Sequence, residues 1–334
     1  MGAIFHRSAS KAVSMRPLAV GFWMLAAMAL RGPGTAAAQI PKEALPLVGA
    51  WDITIHTSHG DAYSWQEVER SGATLVGRFV GRFGSARPIS KIEFLNGGLH
   101  FGVPRQYEAH DLEFTGKPAT DGLAGSATGY DDGPATWTAR RAPRLARTRP
   151  PVWGEPIKLF NGTSLDGWQI QGGENRWVVV DNVLVNMRDG GNLVSTAKFD
   201  DFKLHAEFRY PPKSNSGIYL RGRYEIQIDD GGPNLTVQSS GAVYGFFAPC
   251  VYVAKRPGEW QTFDITLVGR MVTVVFNGET VIDRQTIPGI TGGALDADEG
   301  SPGPIMIQGD HGRIDFRNVT ITPATHLPQR ASVR

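Results

Sequence analysis

The sequence predicts an all-β protein made of two successive antiparallel units, and three observations carry that reading. Strand-like runs recur at about 8–12 residue spacing, separated by Gly, Pro, Asn and Asp. Asn96-Gly97 and Asn277-Gly278 are hairpin turn signals, because both central residues of a type I′ turn need positive φ. No long stretch holds a helical period, so the pattern lacks the crossover helices of a parallel sheet. The 334 residues are 41% hydrophobic and 20% charged, enough for about two domains with real cores. Thirty-four Lys+Arg against 32 Asp+Glu leave a formal +2, which gives no reason to propose a nucleic-acid partner or an acidic membrane. The single Cys250 excludes an intrachain disulfide and a Cys-rich zinc site.

Residues 1–38 read as a secretory signal peptide. His6, Arg7, Lys11 and Arg16 precede the apolar run Leu18–Leu30, which is shorter than the ~20 residues a membrane span needs. Ala36-Ala37-Ala38 supplies the small-residue cleavage site. The expected mature chain is periplasmic or secreted, with no membrane span. Strands are then predicted at 51–55, 73–80, 89–94, 98–103, 112–114, 122–128 and 135–139, making a small β accessory domain over 41–142. Residues 140–151 hold five arginines and three prolines. Proline removes ladder donors and like charges repel, so 143–152 is expected to be a linker. Beyond it, 175–187 predicts a hairpin turning at Asp181-Asn182. Further strands are predicted at 202–210, 217–229, 262–268, 271–276, 280–283, 304–308 and 313–323. Together they predict an antiparallel two-sheet sandwich over 153–325.

Alternation assigns charges to faces, since successive side chains of a strand point opposite ways. Lys203, His205, Glu207 and Arg209 share one face. Read as one strand, 217–229 puts Arg221, Arg223, Glu225, Gln227 and Asp229 in line, with Ile226 and Ile228 opposite. Such a row is an ordinary solvated face or a polar cleft. The mixture of Arg, Glu, Gln and Asp after Ser214-Asn215-Ser216-Gly217 favours the cleft. Trp168, Trp177, Tyr219, Tyr244, Phe246, Phe247, Tyr252 and Trp260 are rings that could meet apolar sugar faces.

The stretch Lys158–Trp168 (KLFNGTSLDGW) resembles the opening signature of the 3-keto-disaccharide hydrolase family. Further motifs follow in order: Trp177 with Val180–Val185, Asp201–Leu204, Asn215–Arg221, Tyr224–Gln227, Gly241–Tyr244, Pro257–Gln261, and Ile307–Gly312 through Phe316–Val319. The resemblance covers about 153–325 and implies a concanavalin-like jelly roll. Residues 41–142 resemble, more faintly, a small lipocalin-like domain. The family implies a substrate whose sugar ring carries a ketone at C3. That ketone acidifies the C2 proton, and elimination then expels the glycosidic oxygen from C1. Water addition restores the 3-keto sugar, so net hydrolysis is a lyase step plus a hydratase step. Such a site needs a base near C2, a donor or cation at the C3 oxygen, and an acid for the leaving group.

On that resemblance His311 is the first acid/base candidate, because imidazole titrates near neutrality. Glu225 is the second, and Glu207 could serve instead. Arg221 suits the enolate charge, being cationic at every working pH. Asn215, Gln227, Asp229 and Tyr244 are assigned to sugar hydroxyls, and Lys255 and Trp260 to the rim. No cofactor is predicted. A divalent cation stays open because Asp296, Asp298 and Glu299 form part of a calcium-loop pattern without completing it. The histidines form no HxxxH or HExxH, and no GxSxG, Walker A or GxGxxG occurs. The ketone must therefore come from a separate sugar 3-dehydrogenase. The alternative is a non-catalytic carbohydrate-binding module or a structural protein of the envelope, since fold alone does not decide function.

Overall fold

Eight antiparallel strands between Gly49 and Arg141 close into a barrel, in the computed structural model that describes residues 39–131 and 133–325. The leader expected over 1–38 lies outside those residues. The strands are β1 (Gly49–Thr57), β2 (Gly60–Ser71), β3 (Thr74–Val80), β4 (Arg87–Leu95), β5 (Gly98–Val103), β6 (Leu112–Ala119), β7 (Gly122–Thr128) and β8 (Ala135–Arg141). Each pairs with the next and β8 closes onto β1, so the barrel has no free edge. Trp51, Ile53 and Ile55 point inward and join Phe79, Phe101, Phe114 and Trp137 in a packed interior. Phe101 stacks on Phe114 with ring centroids 4.8 Å apart. Strand β2 escapes sequence prediction because its alternation is inverted. Ser64 and Gln66 are buried polar residues, while the large apolar Trp65 lies on the other face.

The second half is a two-sheet sandwich, as the sequence predicts. Its strands are β9 (Ile157–Lys158), β10 (Trp168–Gln171), β11 (Trp177–Val180), β12 (Val183–Asn186), β13 (Asn192–Phe199), β14 (Phe202–Arg209), β15 (Asn215–Leu220), β16 (Tyr224–Asp229), β17 (Gln261–Val268), β18 (Met271–Phe276), β19 (Glu279–Thr286), β20 (Gly303–Ile307) and β21 (Ile314–Pro323). One sheet is five-stranded in the order β10-β13-β20-β15-β16. The other is eight-stranded, running β11-β12-β21-β14-β17-β18-β19 with β9 beside β21. Leu204, Ala206 and Phe208 of β14 meet Ile218, Tyr224, Ile226 and Ile228 of β15 and β16 in one core. The outward residues of β14 and β16 therefore lie on opposite outsides of the sandwich.

The expected single strand 217–229 is corrected to a hairpin. Arg221 at φ 54° and Gly222 at φ 68° turn the chain, so Tyr219 pairs with Glu225 and Gly217 with Gln227. Asp181-Asn182 and Asn277-Gly278 turn with positive φ at both positions, as predicted. The Arg/Pro segment lies against the sandwich: Leu145 is buried, and Arg147 reaches Asp200 and Asp201 at 2.6–2.9 Å. The Arg147 charge is thus answered by two carboxylates.

Barrel and sandwich meet through a built contact. Trp65 leaves the barrel to join the sandwich core, edge-on to Phe246 with centroids 5.4 Å apart. It leaves no room for a Cβ at residue 289, which is glycine. Ala86 N donates to Gly245 O at 3.2 Å and Gly293 N to Arg82 O at 2.8 Å. Gly245, at φ 75°, brings its α-carbon so near Ser85 that a side chain would collide with it. No helix among the described residues is long and apolar enough to cross a membrane.

Candidate functional site

The site builds up on the outer face of the five-stranded sheet. The β15–β16 pairing sets Asn215, Gly217 and Tyr219 beside Asp229, Gln227 and Glu225. Gly217 is required there, because a Cβ would overlap the Glu225 side chain. The free edge of β16 is covered by the segment through Tyr244. Gly241 N donates to Gln227 O at 2.9 Å, Gln227 N to Ala242 O at 3.0 Å, and Tyr244 N to Glu225 O at 3.0 Å. On the other side, β20 runs next to β15 and delivers the turn at Asp310-His311-Gly312. Buried Asn186 pins that turn by donating to Gly309 O at 2.7 Å and Gly312 O at 2.9 Å.

Glu225 is 3% exposed and has few partners for a buried carboxyl. The Tyr219 hydroxyl lies 2.8 Å from its Oε2 and 3.0 Å from Gly292 O. Its one proton is shared between the two acceptors, which leaves the carboxyl weakly held. With its side-chain amide turned so that the nitrogen faces the acceptors around it, Gln227 donates to Glu225 Oε1 at 3.1 Å and to Ser216 O at 3.0 Å, and accepts from Asn215 Nδ2 at 3.2 Å. Burial pushes the Glu225 carboxyl up to about 8, with the Tyr219 hydrogen bond and the charge of His311 pulling the other way. His311 Nδ1 lies 2.7 Å from Asp310 Oδ1. That hydrogen bond raises the imidazole above its ordinary 6.5, helped by the charges of Glu225 and Asp189 and opposed by partial burial. Burial likewise raises Asp229 and Tyr244, the latter with help from Tyr107. A buried, neutral carboxyl beside a carboxylate-held imidazole can give one proton and take another.

Of the sequence candidates, the fold brings together Glu225, His311, Asn215, Gln227, Asp229 and Tyr244. Arg221 goes elsewhere. Its guanidinium is wholly buried, donating to Asp200 at 3.0 Å, Tyr224 Oη at 2.9 Å and Gly269 O at 3.2 Å. It occupies the turn rather than the strand, which is why the face predicted for it does not apply. Glu207 lies on the outside of the eight-stranded sheet, bound by Arg317 at 2.7 Å and Asn318 at 2.6 Å, which hold it below the usual carboxylate range against its burial. Trp260 belongs to that face too, between Arg317 and Arg209 at 4.0 and 4.7 Å from its ring. Lys255 Nζ donates to Trp260 O. Asp296 goes to Arg223 at 2.6 Å and Glu299 to Tyr224 Oη at 2.7 Å. Among the described residues no group of three or more His, Cys, Asp or Glu could hold a metal ion.

Sequence reasoning missed Tyr219 as the partner of Glu225, Asp310 as the partner of His311, and Tyr107 beside Tyr244. The first had a signal: reading Arg221-Gly222 as a turn pairs 219 with 225 at once. The second sat in the adjacent residue. Tyr107 comes from the barrel and had none.

The solved structures to which the chain is similar include the following. One, from Parabacteroides distasonis and provisionally described as a glycosyl hydrolase, is 30% identical, covering 53% of this chain and 93% of that one at a TM-score of 0.44. A second so described from the same organism is 24% identical, covering 50% and 98% at 0.41. A carbohydrate-binding module from Bacillus subtilis is 14% identical, covering 46% and 94% at 0.34. A comparison with curated proteins finds no match. Residues 155–322 match the family described as the 3-keto-alpha-glucoside-1,2-lyase-like domain, which is half of the chain and supports a carbohydrate-acting hydrolase. The chain belongs to the 3-keto-alpha-glucoside-1,2-lyase-like domain family.

Proposed function

We propose that the protein cleaves 3-keto-glycosides by elimination and rehydration, with His311 and Glu225 moving the two protons. His311, held at Nδ1 by Asp310, takes the C2 proton on Nε2. The electron pair left at C2 moves toward the C3 oxygen and then expels the C1 oxygen. Glu225, protonated at neutral pH, gives its proton to that departing oxygen. Asn215 and Tyr244 replace Arg221 as the donors for the C3 oxygen, because they share the face with Glu225. Water then adds at C1 and gives a proton to the Glu225 carboxylate, while His311, half-exposed and in exchange with solvent, delivers a proton to C2 and completes hydrolysis. Export to the periplasm or beyond, and a separate dehydrogenase that supplies the ketone, belong to the same reading.

The observation that supports it is the pairing of a buried, raised carboxyl with an Asp-held histidine in a chain of this family. An oxocarbenium route would need two carboxyls about 5–10 Å apart. Asp310, whose charge acts on Glu225, is committed to His311. The test is release of 3-keto-glucose from 3-keto-trehalose, with trehalose as the control substrate. Turnover of the oxidised sugar alone, falling about 10²–10⁴-fold in a folded Glu225→Gln variant, is expected. Binding without turnover would make the protein a carbohydrate-binding module.

A further inference from the structure

The barrel reaches the site through its β5–β6 loop, residues 104–111, and that loop is unusually well fixed. Arg87, 6% exposed, donates to both oxygens of Glu108 at 2.8 and 2.9 Å. Glu108 Oε2 also accepts from the backbone N of Gln106 at 3.0 Å and of Tyr107 at 3.2 Å. Arg105 N donates to Asp111 Oδ1 at 2.9 Å, and Gln106 Oε1 accepts from Ser85 N at 2.9 Å. The residue held by this scaffold is an aromatic left 59% exposed.

The tip of Tyr107 is tied to the sandwich. Gln238 Nε2 donates to Tyr107 Oη at 3.3 Å and to Ser85 Oγ at 3.3 Å. The Tyr107 hydroxyl also interacts with that of Tyr244, which feels the charge of Glu225 in turn. Next to it, the Phe83–Gly84 backbone crowds Gly292, whose carbonyl receives the Tyr219 hydroxyl. Tyr107 is therefore one side chain farther out than Tyr244 from the reacting groups, with its ring open to solvent and its hydroxyl fixed. A ring so placed suits the apolar C–H face of a second sugar, and prior fixing spares the ordering cost of binding.

We propose that the barrel is part of the binding site, with the Tyr107 ring forming the wall against which the sugar leaving group of a 3-keto-disaccharide packs. This rests on the function proposed above, and it makes the second ring the feature that the barrel selects. It also gives the barrel, which lies outside residues 155–322, a task at the site.

The test compares 3-keto-trehalose, which has the second ring, with methyl 3-keto-glucoside, which does not. Tyr107→Ala should lower kcat/KM for the disaccharide by roughly three- to tenfold, mainly through KM, and leave the methyl glycoside within about twofold. Tyr107→Phe, which keeps the ring, should retain most of the wild-type value and confirm that the loop still folds. Equal losses on both substrates, or no loss on either, would overturn the proposal. If the wild-type protein cleaves neither substrate, the function reading fails, and calorimetric binding of trehalose and methyl glucoside decides the wall by itself. Weaker trehalose binding in Tyr107→Ala, with methyl glucoside unchanged, then supports it, and unchanged trehalose binding overturns it.

Discussion

Glu225 owes its behaviour to burial, and His311 owes its behaviour to a neighbour. The carboxyl sits where no water-filled shell stabilises its charge, so its proton stays until the pH reaches about 8. The imidazole is half-exposed, and Asp310 favours its charged form. The proposed reaction needs His311 neutral and Glu225 protonated. Rate should therefore rise as pH climbs through the His311 value, above 6.5, and fall again past about 8, giving a narrow bell in kcat/KM. Asp310→Asn removes the main cause of the raised imidazole, so the acid limb should move to lower pH while the alkaline limb stays. A pH–rate profile of the two proteins checks this, and an unmoved acid limb would assign that limb to another group. Residue types were legible in the sequence because Glu225, Gln227 and Asp229 alternate in a strand whatever its partner. Their proton affinities were not, because burial depends on the covering segment at 241–244.

At the scale of elements, hairpins carried most of what could be read. Asn96-Gly97, Asp181-Asn182 and Asn277-Gly278 all turn where the sequence places them, since only a few residue types take positive φ cheaply. Arg221-Gly222 turns as well, yet it carries a long cation at a position that normally goes to Asn, Asp or Gly. The side chain is there because Asp200, Tyr224 and Gly269 receive it inside the fold, a reason invisible before the sheets are assembled. Reading through that turn puts Arg221 on the face of Glu225. Strand β2 was lost for a similar cause: a strand with Ser64 and Gln66 inward and Trp65 outward obeys the needs of the barrel–sandwich contact rather than of the barrel alone. The family resemblance groups Glu207, Lys255 and Trp260 with Glu225. Sheet membership, which alternation does not encode, sends Glu207 to the other outside, and Trp260 lies there between Arg209 and Arg317.

For the whole molecule, the barrel–sandwich junction holds a second buried carboxyl. Asp52, 6% exposed on the outer side of β1, faces Glu299 of the sandwich across the junction. Burial pushes Asp52 far above its ordinary 3.8, the charge of Glu299 adds to this, and Arg270 and Arg223 oppose it. Tyr224 also faces Glu299, while Tyr63, Asp61, Asp296, Asp298, His56, Arg140 and Arg141 line the adjoining cavity of about 510 Å³. Below pH 3.8 the folded and unfolded chains both keep the Asp52 proton. As pH rises, only the unfolded chain releases it, so this group progressively lowers stability. Asp52→Asn removes that slope and still offers Glu299 a donor. Its Tm should match wild type near pH 4 and exceed it by several degrees near pH 8, at roughly 2–4 °C for each kcal/mol regained. Calorimetry at the two pH values checks it, and parallel curves would show that folding does not raise the Asp52 carboxyl.

The proposed chemistry turns on the acidity of the ring carbon next to the ketone. The most direct measurement is mass spectrometry of the sugar released from 3-keto-trehalose in deuterated water. Deuterium fixed at C2 of the released 3-keto-glucose, in wild type and above the level of a no-enzyme control, is expected. Cleavage in which C2 keeps its original hydrogen would contradict the elimination.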